Sequence, residues 1–296
     1  MINILITGGY GNLGQILYNN LKNLYNIKCI GRKDLNLLNL NELEIFLNSN
    51  KFDVLIHAAI TGGRRTKKES ETDFYNNLLM FENILKFSNN FKMIINFDSA
   101  AIYDRNTDIL NRKEDDINSI PVDYYGLSKY IIYNRTLSYD NIYNLRIFNI
   151  FHKNEENDRF IKKCINIKNN NEIITIDDNK YFDFFSEQDF IKVIKYYLEN
   201  IENIENIENI ENIENIKNIE NIENIENIKN IKNKLDKTIN ICYKEKYKLG
   251  DIAFLILNDT NKINIINNNS INNYTGDHSK LYKLNIKLNR LIDYLN

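Results

Sequence analysis

The feature that most constrains this chain is a glycine-rich segment directly after its first apolar run. Residues Ile2 to Ile6 are apolar and lead into Thr7-Gly8-Gly9-Tyr10-Gly11-Asn12-Leu13-Gly14. Apolar residues then recur at the three- and four-residue spacing of an amphipathic helix, at Leu13, Ile16, Leu17 and Leu21. The pattern predicts a strand, a tight turn and a helix, which together form the opening unit of a dinucleotide-binding fold.

Three glycines in this segment have the spacing that a dinucleotide requires. Gly8 allows the tight turn, Gly11 the close approach of the backbone to a pyrophosphate, and Gly14 the packing of the helix on the strand. The amino end of a helix attracts phosphate. We therefore predict that the cofactor is bound by Gly8, Gly11, Asn12, Leu13 and Gly14. The alternative is a glycine-rich turn without a ligand.

Short apolar runs alternate with helical patterns through the first half of the chain. The runs lie at 27–30, 54–56, 93–97 and 143–147, and helical spacing occupies 41–47 and 74–87. The alternation predicts an α/β fold, a Rossmann-type doubly wound parallel sheet covered by helices on both faces. Because the pattern weakens beyond residue 150, we expect an NAD(P)-binding Rossmann domain at 1–150. A smaller C-terminal domain, mostly substrate-binding, is expected at 151–296.

The segment 201–233 repeats the triplets Ile-Glu-Asn and Ile-Lys-Asn. A period of three matches neither the ~3.6 residues of a helical turn nor the alternation of a strand, so no single apolar face results. We predict a low-complexity insertion that is either a mobile helix or disordered. An interaction coil is the less favoured alternative, because coiled coils need a period of about 3.5.

The charge balance and the cysteines exclude several classes of protein. A formal net charge of −2 over 296 residues gives no basic field for nucleic acid or for an anionic membrane. Cys29, Cys164 and Cys242 are odd in number and far apart, which fits neither a disulfide framework nor a zinc site. No run approaches the ~18 apolar residues of a membrane helix, and no basic leader precedes the first strand. We expect a cytoplasmic protein without a metal, a nucleic-acid partner or a membrane anchor.

The residues after the second apolar run bear on which dinucleotide binds. Gly31-Arg32-Lys33 stands where NAD enzymes usually carry an acidic residue for the ribose 2′-hydroxyl. Arg32 favours the 2′-phosphate of NADP. If Arg32 and Lys33 are instead a solvated surface pair, NAD remains open.

A serine, a tyrosine and a lysine form the pattern with the clearest chemistry. Tyr125 and Lys129 are four residues apart in Tyr-Gly-Leu-Ser-Lys and so share one face of a helix. A tyrosine hydroxyl, with an ordinary pKa of about 10, carries protons poorly at neutral pH unless a neighbouring cation favours its phenolate. Ser99 follows the run 93–97 and can hydrogen-bond a substrate oxygen. We predict that Ser99, Tyr125 and Lys129 are catalytic; the alternative for the Tyr125 and Lys129 pair is two exposed helix residues.

In this order the motifs resemble those of the extended short-chain dehydrogenases/reductases that act on nucleotide sugars. Besides the glycine segment, the similarity rests on His57-Ala58-Ala59, Tyr75-Asn76-Asn77, Ser99-Ala100-Ala101-Ile102-Tyr103, Tyr125-Gly126-Leu127-Ser128-Lys129 and Leu145-Arg146-Ile147-Phe148-Asn149. It covers nearly the whole chain apart from the triplet insertion. The segments 34–39 and 58–63 are most similar to those of NADPH-dependent 4-keto-sugar reductases, among them the GDP-fucose synthases.

The resemblance implies a nucleotide-sugar substrate and assigns residues to each ligand. Ala58, Ala59 and Asn77 would line the cofactor, which Tyr125 and Lys129 would also contact. Asn149 would face the substrate beside Ser99, although without the resemblance it reads as a turn cap. Family members are often dimers through the helices that precede and contain the Tyr125 motif. The resemblance therefore allows a homodimer for this chain as well.

Departures from the family pattern reduce the number of reactions that this chain is expected to catalyse. Members that are 4,6-dehydratases carry Asp and Glu after the catalytic Ser or Thr, where this chain has Ala100 and Ala101. The GDP-fucose synthases use a cysteine at the position of Ala101 for epimerisation. We therefore predict NADPH-dependent 4-keto reduction. The alternatives are an NAD-dependent 4-epimerase and a non-catalytic dinucleotide-binding protein.

A second departure concerns the substrate diphosphate. Many relatives hold it with an arginine before Asp-Phe, and Phe182 stands at that position here. By this comparison Lys180 or Arg159 would supply the cation. The basic run 64–68 reads as a hydrated loop, with phosphate contacts as its alternative.

Overall fold

The protein is built around a central sheet of six parallel strands. The computed structural model describes residues 1–63, 68–214 and 235–295. For residues 202–214 it describes only the helical backbone. From one edge to the other, the strands are β2 (Asn26–Ile30), β1 (Asn3–Thr7), β3 (Val54–His57), β4 (Met93–Ser99), β6 (Ile142–Ile147) and β10 (Thr238–Ile241). All neighbouring strands are parallel. The predicted Rossmann-type α/β fold is confirmed.

Helices and short strands complete the chain. The helices are α1 (Asn12–Leu21), α2 (Leu40–Ser49), α3 (Glu71–Leu85), α4 (Tyr124–Thr136), α5 (Phe160–Asn170), α6 (Glu187–Glu214), α7 (Leu249–Leu257) and α8 (Ser279–Lys283). Single 3₁₀ turns lie at Ser88–Asn90, Ala100–Tyr103, Thr260–Lys262 and Leu291–Tyr294. Three two-stranded parallel sheets pair β5 (Ile109–Arg112) with β12 (Tyr274–Gly276), β7 (Ile150–Phe151) with β9 (Phe185–Ser186), and β8 (Ile174–Asp178) with β11 (Ile263–Asn267).

Both faces of the sheet are buried, because successive strand residues point to opposite sides. In β1, Ile4 and Ile6 belong to one apolar cluster, which also contains residues of α1 and α6. Leu5 belongs to a second cluster, formed with α2, α3 and α4. A strand covered on both faces reads as a continuous apolar run, and this is why the first run of the sequence shows no polar alternation.

Side-chain caps fix where three of the helices begin. Asn39 accepts hydrogen bonds from the backbone of α2, and Ser70 and Asp73 form a capping box at the start of α3. Asp123 accepts the backbone N–H of Gly126 at 2.7 Å and so caps α4, the helix with Tyr125 and Lys129. Such caps satisfy N–H groups that a helix leaves unpaired. The cap at Asp123 therefore sets the position of Tyr125, two residues later.

The second half of the chain also contributes to the central sheet. Strand β10 forms its edge beside β6, and α6 packs on one face through Phe190 and Tyr197, whose rings lie 5.3 Å from that of Phe97 and 5.5 Å from that of Tyr143. The division of the chain at residue 150 stays a prediction. Of the triplet segment, residues 201–214 continue α6, and the remainder lies outside the described residues. None of the helices in the described ranges combines the length and apolarity needed to cross a membrane.

Candidate active site

A turn without room for side chains joins β1 to α1. Gly8 has φ +66°, a conformation that residues with a side chain rarely adopt, and a Cβ there would lie 2.6 Å from the backbone nitrogen of Ala59. A Cβ on Gly14 would lie 2.5 Å from the carbonyl oxygen of Gly8. Helix α1 packs against one side of the turn, and the loop with Ala58 and Ala59 packs against the other. Only glycine at these positions keeps the three backbones in contact.

The first turn of α1 is open to an anion. Gly11 occupies the cap position, no side chain caps the helix, and the Gly11 N–H bonds the carbonyl of Gly8 at 2.9 Å. Asn12 and Leu13 follow as the first helical residues, and the side-chain nitrogen of Asn12 lies 3.3 Å from both carboxylate oxygens of Glu156. Free N–H groups and the helix dipole favour negative charge at this end. The turn is suited to a pyrophosphate.

A partly open cleft lies beside the glycine turn. Its walls come from the turn, the segment after β2, the loop after β3 and helix α3, and they include Gly8, Arg32, Leu37, Ala59, Asn76 and Met80. Apolar walls with a few polar groups are typical of small-molecule sites. The sequence reasoning missed Leu37, Asn76 and Met80. The helical spacing of α3 could have placed Asn76 and Met80, four residues apart, on one face.

Arg32 and Asp34 differ in where their charges point. Arg32 is exposed and contributes to the cleft wall. Asp34 instead accepts the backbone N–H of Gly31 at 2.8 Å, and its hydrogen bond and negative charge raise the pKa of Tyr10 in the glycine turn. The first carboxylate after β2 is therefore engaged in the turn. Arg32 therefore contributes a positive charge to the wall of the cleft.

Asn77, predicted to line the cofactor, lies behind the loop that follows β3. Its side chain is buried, its Oδ1 accepts the backbone N–H of Thr61 at 2.8 Å, and its Nδ2 donates to the Thr61 carbonyl at 2.9 Å. These bonds hold the loop that carries Ala59 against Gly8. The neighbouring Asn76 is the asparagine that faces the cleft.

The structure brings Ser99, Tyr125 and Lys129 together at the carboxyl end of β4. Ser99 is the last residue of β4, and its hydroxyl accepts the backbone N–H of Ala101 at 3.2 Å. Ser99 lies close enough to Tyr125 to lower the pKa of the tyrosine hydroxyl. Lys129 is 5% exposed, and its ammonium donates to the Phe97 carbonyl at 2.5 Å. A hydroxyl pair thus faces the ligand edge of the sheet with a buried cation close by.

Burial dominates the proton affinities of this trio. Burial raises the pKa of the Tyr125 hydroxyl, and the hydrogen bond from Ser99 opposes that rise only in part. Burial lowers the pKa of Lys129 to about 8, with the nearby charge of Asp98 acting in the opposite direction. At neutral pH the lysine is therefore mostly protonated and the tyrosine neutral. Tyr125 is in the form that can donate a proton.

Further contacts, missed by the sequence reasoning, hold Tyr125 in place. The guanidinium of Arg105 lies 5.9 Å from the centre of its ring and pairs with Asp123 at 2.6 Å and with Glu69 at 3.0 Å. Glu69 also accepts the backbone N–H of Tyr125 at 3.0 Å. A Cβ on Gly63 would lie 2.8 Å from the ring. Charged residues far apart in sequence thus tie the start of α4 to the loops around it.

A buried ion pair lies directly under the trio. Arg146 in β6 is fully buried, and its Nε donates to Asp98 Oδ2 at 2.7 Å. Its Nη1 donates to the Tyr103 hydroxyl at 2.7 Å and to the Glu114 carbonyl at 2.6 Å. Asp98 immediately precedes Ser99 in β4. The pair therefore joins β4 to β6 at the point where the catalytic serine was predicted.

We expect His57 to make the stability of the protein sensitive to acid. Its ring is buried and bonded to the Thr7 hydroxyl at 2.8 Å, and burial lowers its pKa to about 3. Below pH ~6.5 the unfolded chain gains a proton at this histidine and the native state does not, so stability falls as the pH drops toward 3. Near pH 5 this loss amounts to about 2 kcal/mol. Urea denaturation of wild type and His57→Asn near pH 7 and near pH 5 measures it. An equal loss in both proteins would contradict the assignment.

Asn149 lies just beyond β6, on the same edge of the sheet as Ser99. In the register of the sheet, Ser99 is opposite Ile147, two residues before Asn149. The Asn149 side-chain oxygen accepts a hydrogen bond from Arg159 Nη2 at 2.9 Å. Phe182, at the position where relatives have an arginine, is buried and stacks on Tyr274 with ring centres 5.1 Å apart. The run 64–67 lies outside the described residues.

The chain is similar to known proteins in sequence family and in fold. A family model described as "NAD dependent epimerase/dehydratase family" matches residues 4–213. Among curated protein sequences no significant match is found. Among solved structures, a GDP-mannoheptose C4 reductase from Campylobacter jejuni with NADP bound superposes with a TM-score of 0.72 and is 18% identical, covering 99% of this chain and 95% of that one.

Two further structures have the same architecture. A UDP-N-acetylglucosamine 4-epimerase from Bacillus cereus has a TM-score of 0.69 and is 21% identical, covering 100% of this chain and 96% of that one. A dTDP-4-dehydrorhamnose reductase from Clostridium acetobutylicum has a TM-score of 0.70 and is 16% identical, covering 95% of this chain and 92% of that one. At these identities the likeness is one of fold.

Proposed function

This chain belongs to the NAD dependent epimerase/dehydratase family, and from that premise we propose that it is an NADPH-dependent enzyme that reduces the 4-keto group of a nucleotide sugar. One observation carries the proposal. Ser99 ends β4, the buried Lys129 ammonium is fixed at the Phe97 carbonyl of the same strand, and Tyr125 lies close enough to Ser99 for the serine to lower its pKa. Two hydroxyl donors converging on one point suit a carbonyl oxygen that becomes an alcohol.

The residues of the glycine turn and the cleft fit a dinucleotide. Gly8 and Gly14 leave space that a Cβ would fill, and the open first turn of α1 would hold the pyrophosphate through Gly11, Asn12 and Leu13. Arg32 would meet a 2′-phosphate on the adenosine ribose. When bound, the nicotinamide of such a cofactor supplies the hydride for the carbonyl carbon. We also assign the protein to the cytoplasm, in keeping with its three free cysteines.

Each member of the trio has a separate task. Tyr125 donates its hydroxyl proton to the C4 oxygen as that oxygen becomes negative, and Ser99 donates a second hydrogen bond to the same oxygen. Lys129 supplies a buried positive charge to the same site, which would stabilise the phenolate left after the transfer. Its ammonium, fixed by the Phe97 carbonyl, keeps further donors for the ribose of the cofactor.

The residues after Ser99 favour simple reduction. Ala100 and Ala101 are buried and carry no titratable group. Elimination of water from C5 and C6 needs an acid and a base at that place, and epimerisation at C3 or C5 needs a base. Neither is supplied there, whereas transfer of one hydride and one proton requires only the trio. Asn149 would orient the sugar from β6.

A 4-epimerase is the second candidate. The same trio serves oxidation and re-reduction at C4, and the fold is shared with a 4-epimerase as well as with reductases. Incubation with deuterated NADPH separates the two. A reductase leaves one deuterium at C4 of the product, whereas an epimerase interconverts unlabelled nucleotide sugars with bound NAD and incorporates none. A protein that binds the dinucleotide and does neither is the third, non-catalytic candidate.

Replacement of Arg32 by alanine is expected to change which dinucleotide binds best. A charge-assisted contact with a 2′-phosphate contributes about 1.5–3 kcal/mol, so the Kd for NADPH should rise at least about tenfold while that for NADH changes by less than about twofold. Fluorescence titration of both cofactors measures this. Lys33→Ala, next to Arg32, serves as the matched control. Equal weakening of NADPH and NADH would contradict the role of Arg32.

A further inference from the structure

A cation with free donors lies beside the residue predicted to face the sugar. Arg159 ends the segment 152–159 that follows β7, and its Nη2 donates to Asn149 Oδ1 at 2.9 Å. A guanidinium has five N–H donors in one plane, and this bond uses one of them. The side chain is 39% exposed. Its remaining donors are therefore partly accessible to a ligand in solvent.

The charge of Arg159 is only weakly neutralised by the protein. In the described part of the chain Arg159 forms one ion pair, with Glu155, whose carboxylate oxygen lies 3.8 Å from Nε and is too far away for a good hydrogen bond. The Glu155 carboxyl is buried, and burial raises its pKa to about 7. Near neutral pH much of Glu155 is therefore uncharged. An anion arriving at Arg159 does not have to displace a strong internal partner.

Other cations are less well placed. Lys246 is paired with Asp183 through both carboxylate oxygens, at 2.8 and 3.0 Å, and is mostly buried. Lys180 lies instead at the start of α7, where its carbonyl accepts the N–H of Leu249 at 3.0 Å. Phe182 supplies aromatic packing and no charge. Among these positions, Arg159 is the one that contacts Asn149.

The segment with Arg159 also reaches the cofactor turn. Glu156, three residues earlier, lies 3.3 Å from the side-chain nitrogen of Asn12 at the start of α1. The segment thus extends from the pyrophosphate end of the cofactor site to Asn149. A substrate that presents its C4 to Ser99 and Tyr125 and extends its nucleotide away from the cofactor would pass Arg159.

We propose that Arg159, held by Asn149, binds the diphosphate of the nucleotide-sugar substrate. The inference rests on the proposed function, because it takes a nucleotide sugar as the substrate class. A planar guanidinium matches two phosphate oxygens at once, which an ammonium cannot do. The site would therefore distinguish arginine from lysine as well as from an uncharged residue.

Calorimetric titration with nucleoside diphosphates tests the proposal without any turnover. UDP, GDP and dTDP, and the matching nucleosides, are titrated into wild type, Arg159→Gln and Arg159→Lys. We expect Arg159→Gln to weaken binding of the preferred diphosphate at least about tenfold and Arg159→Lys to weaken it less. Nucleoside affinity should stay the same. Lys168→Gln, at the far end of α5, is the matched charge control, and Lys180→Gln tests the competing cation.

The outcomes separate this inference from the proposed function. NADPH titration of each variant verifies that the fold is intact. Equal diphosphate affinity of wild type and Arg159→Gln would overturn the role of Arg159 and leave the proposed substrate class standing. A loss of affinity in Lys180→Gln alone would assign the diphosphate to Lys180. If wild type binds NADPH but none of the diphosphates, the substrate class fails and the inference fails with it.

Discussion

Replacing Tyr125 with phenylalanine is expected to lower kcat/KM for a 4-keto nucleotide sugar by about a thousandfold, within the 10²–10⁴ range of general acid catalysis. The ring would still pack on Gly63 and under Arg105, so the helix and the cleft should keep their shape. What is lost is the proton that the C4 oxygen receives. The Kd for NADPH should therefore change by less than about threefold, a difference of under ~1 kcal/mol.

Tyr124 provides a control for this substitution. It immediately precedes Tyr125, and its hydroxyl bonds Glu71 at 3.1 Å in an exposed position. Tyr124→Phe should leave kcat/KM within about twofold of wild type. Normal turnover by Tyr125→Phe would remove the tyrosine from the mechanism. A large loss in both variants would point instead to a general disturbance of α4.

Substitution of Asp98 by asparagine is expected to destabilise the fold by about 3 kcal/mol, which is the lower end for breaking a buried ion pair. Arg146 is fully buried between β4 and β6, and its charge would lose the carboxylate of Asp98, with which it is paired. The asparagine oxygen can still accept the Nε hydrogen bond, so the loss arises mainly from the uncompensated charge. Aromatic rings of Tyr103 and Tyr133, 4.8 and 4.7 Å from the guanidinium, offset only part of it.

Urea denaturation of a double-mutant cycle measures this coupling. The variants are Asp98→Asn, Arg146→Met and both together, and the double variant should be more stable than the sum of the single losses predicts. Asp116→Asn, which breaks the partly exposed pair with Arg112, is the matched control and should cost under ~1 kcal/mol. Additive losses in the cycle would show that Asp98 and Arg146 do not stabilise each other.

Local patterns were sufficient to predict the first half of the fold. Five of the six sheet strands coincide with apolar runs, because strands in the middle of the sheet are buried on both faces and so are mostly apolar. The glycine turn was also predictable, since its spacing follows from close backbone contacts that the structure contains. The family resemblance read from the motifs is confirmed by the match over residues 4–213. The catalytic roles of Ser99, Tyr125 and Lys129 stay predictions.

Long-range pairings could not be predicted from the sequence in the same way. Strand β10 is four residues long and follows the triplet segment, and no local period indicates that it joins β6. Arg146 stands out as a charge in an apolar strand, but its partner Asp98 is 48 residues away. The contact between Arg105 and the Tyr125 ring likewise depends on how two loops meet. Such contacts are set by tertiary packing, which spacing along a chain does not encode.

The surroundings of Tyr125 affect its pKa differently in the structure from what the sequence predicted. The four-residue spacing predicted that Lys129 favours the phenolate of Tyr125. In the structure the Lys129 ammonium bonds the Phe97 carbonyl, burial raises the pKa of Tyr125, and Ser99 is the neighbour whose hydrogen bond opposes that rise. Burial is a property of the folded chain. It keeps the Tyr125 hydroxyl neutral in the resting state, which is the form that the proposed reduction needs.

The central claim is tested most directly by the loss of nicotinamide absorbance when purified protein is offered a panel of 4-keto-6-deoxy nucleotide sugars with NADPH and, separately, with NADH. We expect net oxidation of NADPH with at least one of these substrates, slower oxidation of NADH because it lacks the 2′-phosphate that Arg32 would bind, and about a thousandfold slower oxidation by Tyr125→Phe. If NADPH binds but no member of the panel oxidises it, the 4-keto reductase is contradicted. Interconversion of ordinary nucleotide sugars would then identify the 4-epimerase.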